Sequence, residues 1–135
     1  MTSPYLLTLS AKEDAERVLP YFEALERSYP CRHARFPMRD PIADGINDKV
    51  EYARAAVFFI TQNATQDALL KASIDHLVHN NTPLLAVYLD EIELPAGLQF
   101  QLALTPLFYP NRHETLASAV KTLANAPYIR NAFAQ

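Results

Sequence analysis

Ala56-Val57-Phe58-Phe59-Ile60 and Leu84-Leu85-Ala86-Val87-Tyr88-Leu89 are the two stretches that decide the fold of this chain. Each is a continuous apolar run with β-branched or aromatic residues, which is typical of a strand covered on both faces. Residues 66–80 lie between them and place apolar side chains at helical spacing. This order of strand, helix and strand predicts a parallel pair joined by a right-handed crossover.

The same alternation extends in both directions along the chain. The pattern predicts one α/β domain over residues 1–135, a flavodoxin-like, five-stranded parallel sheet of order 2-1-3-4-5 with helices on both faces, because the two most apolar runs must be central. The second strand is polar enough to predict an edge position. Besides the central pair, strands are predicted at residues 5–9, 31–36 and 107–109, helices at 11–28, 46–53, 66–80 and 114–124, and loops at 37–45, 61–65 and 90–97.

The first helix is predicted to begin at a capping box. Ser10 and Glu13 have the S-x-x-E spacing in which a serine side chain satisfies free N–H groups of the first turn. Pro20 lies inside this helix and predicts a kink. The predicted apolar face consists of Ala15, Val18, Leu19, Phe22 and Leu25 or Glu26.

The composition bounds the class of protein. With 135 residues, half of them hydrophobic, the chain can bury a core without disulfides or metals. Its net charge is −3 and its basic residues are scattered, so it lacks the basic patch that nucleic acids require. Gly45 and Gly97 are its only glycines, which excludes a Gly-rich phosphate loop.

The cysteine usage and the N-terminus indicate the compartment. Cys31 is the single cysteine, so no intrachain disulfide forms and a reducing compartment is expected. Residues 1–4 carry no basic segment, and the apolar stretch behind them ends at Leu9, too short for a leader or a membrane span. We therefore predict a soluble cytoplasmic protein that does not associate with membranes.

Five stretches stand in an order that one known family shares. Residues 5–14 run from a strand into a serine and an aspartate, and residues 36–46 form a loop with Asp40 and a later glycine. Residues 56–63, 82–90 and 93–98 resemble the central strand with its polar turn, and then a fourth strand with the loop behind it. In these stretches the chain resembles the Toll/interleukin-1 receptor (TIR) domain family, in its bacterial type. The likeness covers roughly residues 5–125, although Ala11 stands near a position where that family often has an aromatic residue.

The resemblance implies an interaction and signalling module that associates with copies of itself or with other TIR domains. Catalytic TIR domains carry a tryptophan and, four residues later, a glutamate that engages the nicotinamide ribose of NAD, and these positions fall on Leu69 and Ser73. A serine hydroxyl cannot supply the charge of that carboxylate. We therefore predict association without catalysis and no obligatory cofactor. The alternative is an NAD glycohydrolase of low or assembly-dependent activity, with Asp75 recruited or Ser73 tolerated and NAD as ligand or substrate.

The resemblance also implies two candidate sites. A nucleotide crevice at the carboxyl ends of the strands is expected to gather five residues, and the loop of residues 37–45 is expected to contact partners. The crevice residues are Ser10, Arg39, Asp40, Leu69 and Ser73. The candidate interaction loop consists of Met38, Pro41, Ile42, Asp44 and Gly45.

Other residues permit functional interpretations that have simpler alternatives. His76 and His79 have a spacing suited to two metal ligands, but no third or fourth ligand is visible, so a solvated helix face is favoured and no metal site is predicted. Ser10 lacks the flanking glycines of a hydrolase nucleophile, and helix capping explains it better. Cys31 is interpreted as an inert, buried thiol. The apolar residues 102–109 form either an association surface or part of the core.

Overall fold

A computed structural model describes residues 5–134 of the chain. Residues 1–4, on which the argument about a leader depends, lie outside the described residues, as does Gln135. The strands are β1 (Tyr5–Ala11), β2 (Cys31–Phe36), β3 (Ala53–Ile60), β4 (Leu84–Tyr88) and β5 (Leu107–Phe108). The α-helices are α1 (Ala15–Ser28), α2 (Ile46–Glu51), α3 (Ala68–His79), α4 (Ala96–Gln101), α5 (Leu116–Ala124) and α6 (Pro127–Phe133), and three short 3₁₀ turns occupy Lys12–Asp14, Ala64–Gln66 and Pro110–Arg112.

The five strands form one sheet in the order β2-β1-β3-β4-β5, and every pairing in it is parallel. The strand order, the parallel direction and the central position of the two apolar runs confirm the predicted flavodoxin-like sheet. Rows of side chains cross it in register, with Leu9 opposite Phe58 and Phe58 opposite Ala86.

Helices cover both faces of the sheet, as predicted. Helices α2, α3 and α4 pack on the face that contains Leu9 and Phe58, whereas α1, α5 and α6 pack on the face that contains Leu6 and Phe59. The ring of Phe59 lies 5.7 Å from that of Tyr21 and 5.6 Å from that of Phe22, both of α1. Because successive residues of β3 from position 55 onward enter two different cores, that part of the strand has no polar side and its sequence is a continuous apolar run.

Within residues 5–134, strand β2 pairs only with β1 and lies at an edge of the sheet, which confirms its prediction. Ala34 and Phe36 are buried, whereas Arg32 and Arg35 extend into solvent along the same strand. Charged side chains on an edge oppose pairing with a further strand.

The start of the first helix differs from the prediction. Ser10 lies within β1, the 3₁₀ turn of Lys12–Asp14 follows, and α1 begins only at Ala15. No side chain caps either helical segment, so the predicted capping box is wrong. The strand keeps its pairing with β2 up to Ala11, and this pairing holds Ser10 extended, where its hydroxyl cannot reach the N–H groups of the helix.

The apolar face of α1 is also shifted from its prediction. Val18, Phe22 and Leu25 are buried as predicted, but Leu19 is half exposed and Tyr21 is buried in its place. Ala15 is exposed as well. The 3₁₀ turn before α1 sets the rotation of the helix about its own axis. The spacing of apolar residues along the helix does not reveal this rotation. It continues through Pro20 without interruption.

Helix α3 begins and ends close to its prediction. The side chain of Asp67 accepts a hydrogen bond from the N–H of Leu70 at 2.8 Å, which caps the first turn. At the other end Asn81 has a φ of 57°, and the N–H of Thr82 donates to the carbonyl of Leu77 at 3.0 Å. A helix commonly ends with an asparagine in the left-handed conformation and a hydrogen bond that spans five residues instead of four.

Two short helices, α4 and α6, are absent from the sequence prediction, which assigned residues 90–97 to loop and nothing to the residues after 124. They have six and seven residues, too few for a periodic pattern to be recognised. Pro127 at the first position of α6 is a helix-start signal that the prediction missed. In addition, β3 begins at Ala53 rather than at residue 56, and α2 ends at Glu51. None of the helices within residues 5–134 has both the length and the apolarity needed to cross a bilayer.

Candidate functional site

A buried carboxylate lies at the carboxyl edge of the sheet. Asp14 is 4% exposed, and its Oδ2 accepts a hydrogen bond from Thr61 Oγ1 at 2.6 Å. Asn63 Nδ2 lies 3.4 Å from the other carboxylate oxygen. Thr61 and Asn63 follow β3 directly, so these bonds join the end of β3 to the turn behind β1.

Arg17 extends this network to β4. Its guanidinium lies 3.5 Å from Asp14 Oδ1 and 2.7 Å from Asp90 Oδ1, and it donates to the carbonyl of Leu89 at 3.0 Å. The N–H of Gln62 donates to the second oxygen of Asp90 at 3.1 Å. The hydrogen bond from Arg17, helped by that of Gln62, holds the pKa of Asp90 below its ordinary value.

This network was not predicted from the sequence. Asp14, Asn63 and Asp90 were quoted only as parts of the stretches that resemble the TIR family. The available signal was that Thr61 and Asp90 directly follow two predicted strands, because parallel strands bring their carboxyl ends to one edge. Asp14 lies five residues behind the first predicted strand and carried no such signal. The network connects the ends of β1, β3 and β4 through protein groups.

A groove between α2 and α3 lies on one face of the sheet. It encloses about 320 Å³, which is at the lower end of the volumes of small-molecule sites. Of the described residues, Glu51 is the only acidic and His76 the only ionisable basic side chain that line it, and His76 Nε2 lies 3.1 Å from Glu51 Oε2. The lining residues are Ile46, Asn47, Val50, Glu51, Leu69, Ala72, Ser73 and His76.

Ser73 is part of this groove but its hydroxyl is already bonded. The side chain is 5% exposed, and its Oγ donates to the carbonyl of Leu69 at 2.9 Å, one turn back in α3. The carboxylate that the groove contains therefore comes from α2, through Glu51, and not from α3. Asp75 is exposed and accepts a hydrogen bond from Gln101 at 3.0 Å, away from the groove lining.

The loop between β2 and α2 is a fixed turn with an apolar tip. Asp40 Oδ1 accepts a hydrogen bond from the N–H of Ala43 at 3.1 Å, and its carbonyl accepts one from Asp44 at 2.9 Å. Gly45 has a φ of 67° and directs the chain into α2, while Met38 packs on the core. These contacts leave Ile42 at 89% exposure.

A chain of polar contacts on the opposite face has the order of a hydrolase triad. Thr8 Oγ1 lies 2.6 Å from His33 Nδ1, and His33 Nε2 lies 2.5 Å from Glu26 Oε1. The imidazole also stacks on Phe22, with ring centroids 4.0 Å apart. Thr8 is fully buried, so its hydroxyl cannot reach a substrate, and the group stabilises the edge strand instead.

His76 and His79 do not form a ligand cluster with other residues of the described chain. His76 contacts Glu51 and Asn80, and no group of three His, Cys, Asp or Glu side chains within residues 5–134 is arranged to hold a metal ion. Cys31 is half buried. This burial and, to a smaller extent, the nearby charge of Glu26 raise the pKa of its thiol to about 11.

The comparison with solved structures is decisive for the fold. The chain is similar to the TIR domain of the Toll-related receptor TRR-2 from the lower metazoan Hydra magnipapillata, with a TM-score of 0.63 and 14% identity. The match covers 95% of this chain and 97% of that domain. The chain has the fold of a TIR domain. No protein-family model matches the sequence, and no curated protein matches it either.

Within this TIR fold, the five residues of the predicted nucleotide crevice occupy different places. Leu69 and Ser73 line the groove between α2 and α3, whereas Arg39 and Asp40 are exposed in the loop and are absent from its lining. Ser10 is 1% exposed. Strand alternation puts it on the opposite face of the sheet from Leu9 and Ala11, which belong to the core under α3.

In this TIR fold, all five residues of the candidate interaction loop are at least partly exposed. Pro41 and Gly45 are half buried at its two ends, and Asp44 is exposed beside Ile42. The structure thus presents one large apolar side chain within a turn that is fixed by the backbone hydrogen bonds from Asp44 to Asp40 and from Ile46 to Pro41.

Proposed function

We propose that this chain is an interaction module of the TIR type that associates with copies of itself or with other TIR domains and does not catalyse a reaction. The observation that carries the proposal is the exposure of Ile42 at the tip of a loop whose backbone is fixed. A rigid loop loses little conformational entropy on binding, and an exposed aliphatic side chain gains by being covered.

A second exposed apolar region agrees with association. Phe100 is 86% exposed and Leu104 is 99% exposed, at the end of α4 and just behind it. Leu102, between them, is buried in the core. The apolar stretch of residues 102–109 is therefore divided between core and surface, and we include its exposed part in the candidate contact area.

The test is the concentration dependence of self-association. Sedimentation velocity of the full chain over a wide concentration range should show assembly that Ile42→Asp weakens, because a carboxylate cannot be buried without a partner. Leu116→Asp is the matched control, since Leu116 is exposed at the first position of α5, where an acidic residue suits the helix N-terminus. Identical sedimentation of all three proteins would contradict homotypic association through the loop.

NAD glycohydrolysis is the second candidate function, and one observation favours it. Glu51 brings a carboxylate into the groove that contains Ser73, the position to which the resemblance assigns the family glutamate. We therefore infer that any residual activity depends on Glu51 and not on Asp75. A neutral hydroxyl bonded within its own helix offers no charge to a developing cation.

The two functions separate in an assay of nicotinamide release from NAD at high protein concentration. We expect no release by the natural chain. Ser73→Glu would add a carboxylate to the groove, and release by that variant would indicate a degenerate enzyme. Release by the natural chain that Glu51→Gln abolishes would establish the second function and overturn the first.

We further propose, on the sequence stretches named above, that the chain is of the bacterial type. Its single cysteine supports a cytoplasmic location.

A further inference from the structure

A second cavity opens where β4 and β5 end. It encloses about 470 Å³ and is lined by Tyr88, Glu91, Ile92, Tyr109, Asn111 and Arg112. It lies at the carboxyl edge of the sheet, where open α/β sheets bind ligands, although beside the outer strands and not at the switch point between β1 and β3. A volume of this size accommodates a small organic molecule. The cavity is separate from the groove between α2 and α3, since the two share no lining residue.

Three planar groups form a stack in its wall. The rings of Tyr88 and Tyr109 are 5.1 Å apart and inclined by only 11°, and the guanidinium of Arg112 lies 4.0 Å over the ring of Tyr109. Burial raises the pKa of Tyr88, so its phenol stays neutral at ordinary pH. Together with Ile92, the ring of Tyr88 gives the cavity an apolar side on which a planar molecule can rest.

The aromatic stack holds the guanidinium of Arg112 in place but does not neutralise its charge. Among residues 5–134, the guanidinium of Arg112 makes no hydrogen bond or ion pair, although Glu91 lines the same cavity. Stacking uses the face of a guanidinium and leaves the N–H groups along its edge, which suit the two oxygens of a phosphate or carboxylate. Arg112 is thus held ready for an anion at one end of the cavity.

We propose that this cavity binds a nucleoside monophosphate. The phosphate pairs with Arg112, the base lies against the ring of Tyr88 and Ile92, and the ribose hydroxyls donate to Glu91. A ligand of this class joins the anion and the planar ring through a hydroxyl-bearing unit, which matches the three kinds of lining group. Among the described residues, no arginine or lysine lines the α2/α3 groove, so that groove offers a phosphate no comparable guanidinium.

The test is amide chemical-shift mapping of the full chain during titration with adenosine 5′-monophosphate, adenosine and ribose 5-phosphate. We expect saturable shifts confined to residues 88–92 and 109–112 with the nucleotide, and weaker binding of the two fragments. Arg112→Gln and Tyr109→Leu should each weaken nucleotide binding by about tenfold or more, because the first removes the charge-assisted pair with the phosphate and the second removes the ring that holds Arg112 in place. Tyr109→Phe keeps the ring and should bind like the natural chain.

Arg27→Gln is the control for general charge effects, since Arg27 is exposed in the last turn of α1. It should leave nucleotide binding unchanged. Thermal melts of each variant verify that the fold is intact. Because Arg112 is exposed, we expect Arg112→Gln to disturb folding the least. Absence of saturable shifts at millimolar nucleotide, shifts centred on residues 46–51 and 69–76, or equal affinity of Arg112→Gln and the natural chain would each overturn the proposal.

Discussion

The hydroxyl of Ser10 is buried in the core under α1 without a hydrogen-bond partner among residues 5–134. A buried hydroxyl that makes no bond lowers stability by about 1–3 kcal/mol. We therefore expect Ser10→Ala to leave the free energy of unfolding in urea unchanged or to raise it by about 1 kcal/mol. Thr8→Val is the contrast, because Thr8 lies on the same face of β1 and its hydroxyl is bonded to His33. A clear loss of stability in Ser10→Ala would contradict the absence of a partner.

The thiol of Cys31 is expected to react slowly. Burial raises its pKa from the ordinary 9.0 to about 11, and the thiolate is the reactive species. At pH 8 the rate of modification by a thiol reagent should be about a hundredfold below that of an unhindered cysteine. The same chain unfolded in urea is the control and should react at the ordinary rate. Equal rates in the folded and unfolded chain would show that the thiol is accessible and unshifted.

The loop between β2 and α2 depends on one left-handed residue. Gly45 has a φ of 67°, and a Cβ added there would meet no atom within 4 Å, so the only penalty of Gly45→Ala is backbone strain. We expect Gly45→Ala to lower the free energy of unfolding by about 1 kcal/mol. Gly97→Ala is the matched control, since Gly97 lies in α4 with equally open space and should gain up to about 1 kcal/mol. Loss in both variants, or in neither, would contradict this account of the turn.

The network of Asp14, Arg17 and Asp90 joins three strand ends and makes stability depend on pH. The pKa of Asp90 is lowered in the folded chain, so its contribution is complete above the unfolded pKa near 3.9 and is lost as pH falls through the folded value. Because Arg17 is 45% exposed, screening limits this contribution to about 1 kcal/mol or less.

We therefore expect Asp90→Asn to be less stable than the natural chain at pH 7 and the difference to shrink as the pH falls below about 4. Urea unfolding at a series of pH values measures it. Glu93→Gln removes an exposed acid from the same loop and is the control. A difference between Asp90→Asn and the natural chain that grows toward low pH would reverse the sign of the linkage and contradict the network.

Local patterns in the sequence determined the sheet. The continuous apolar runs of β3 and β4, the polar character of β2 and the alternation of strands with helices identified a parallel sheet of order 2-1-3-4-5 with helices on both faces. They succeed because burial on two faces leaves few polar positions in a strand, and residues 55–60 and 84–87 contain none. The end of α3 at Asn80-Asn81 was readable for the same reason, since its signal is local.

The positions of the candidate site residues were decided by the tertiary structure. Ser10 follows an apolar run exactly where a helix cap is expected, yet pairing with β2 extends the strand and turns its side chain into the core. Glu51 enters the groove beside Ser73 because α2 packs on α3, and Tyr88 meets Tyr109 and Arg112 because β4 pairs with β5. Such contacts join residues far apart in the chain, and their geometry depends on how strands and helices pack, which no local pattern of residue types contains.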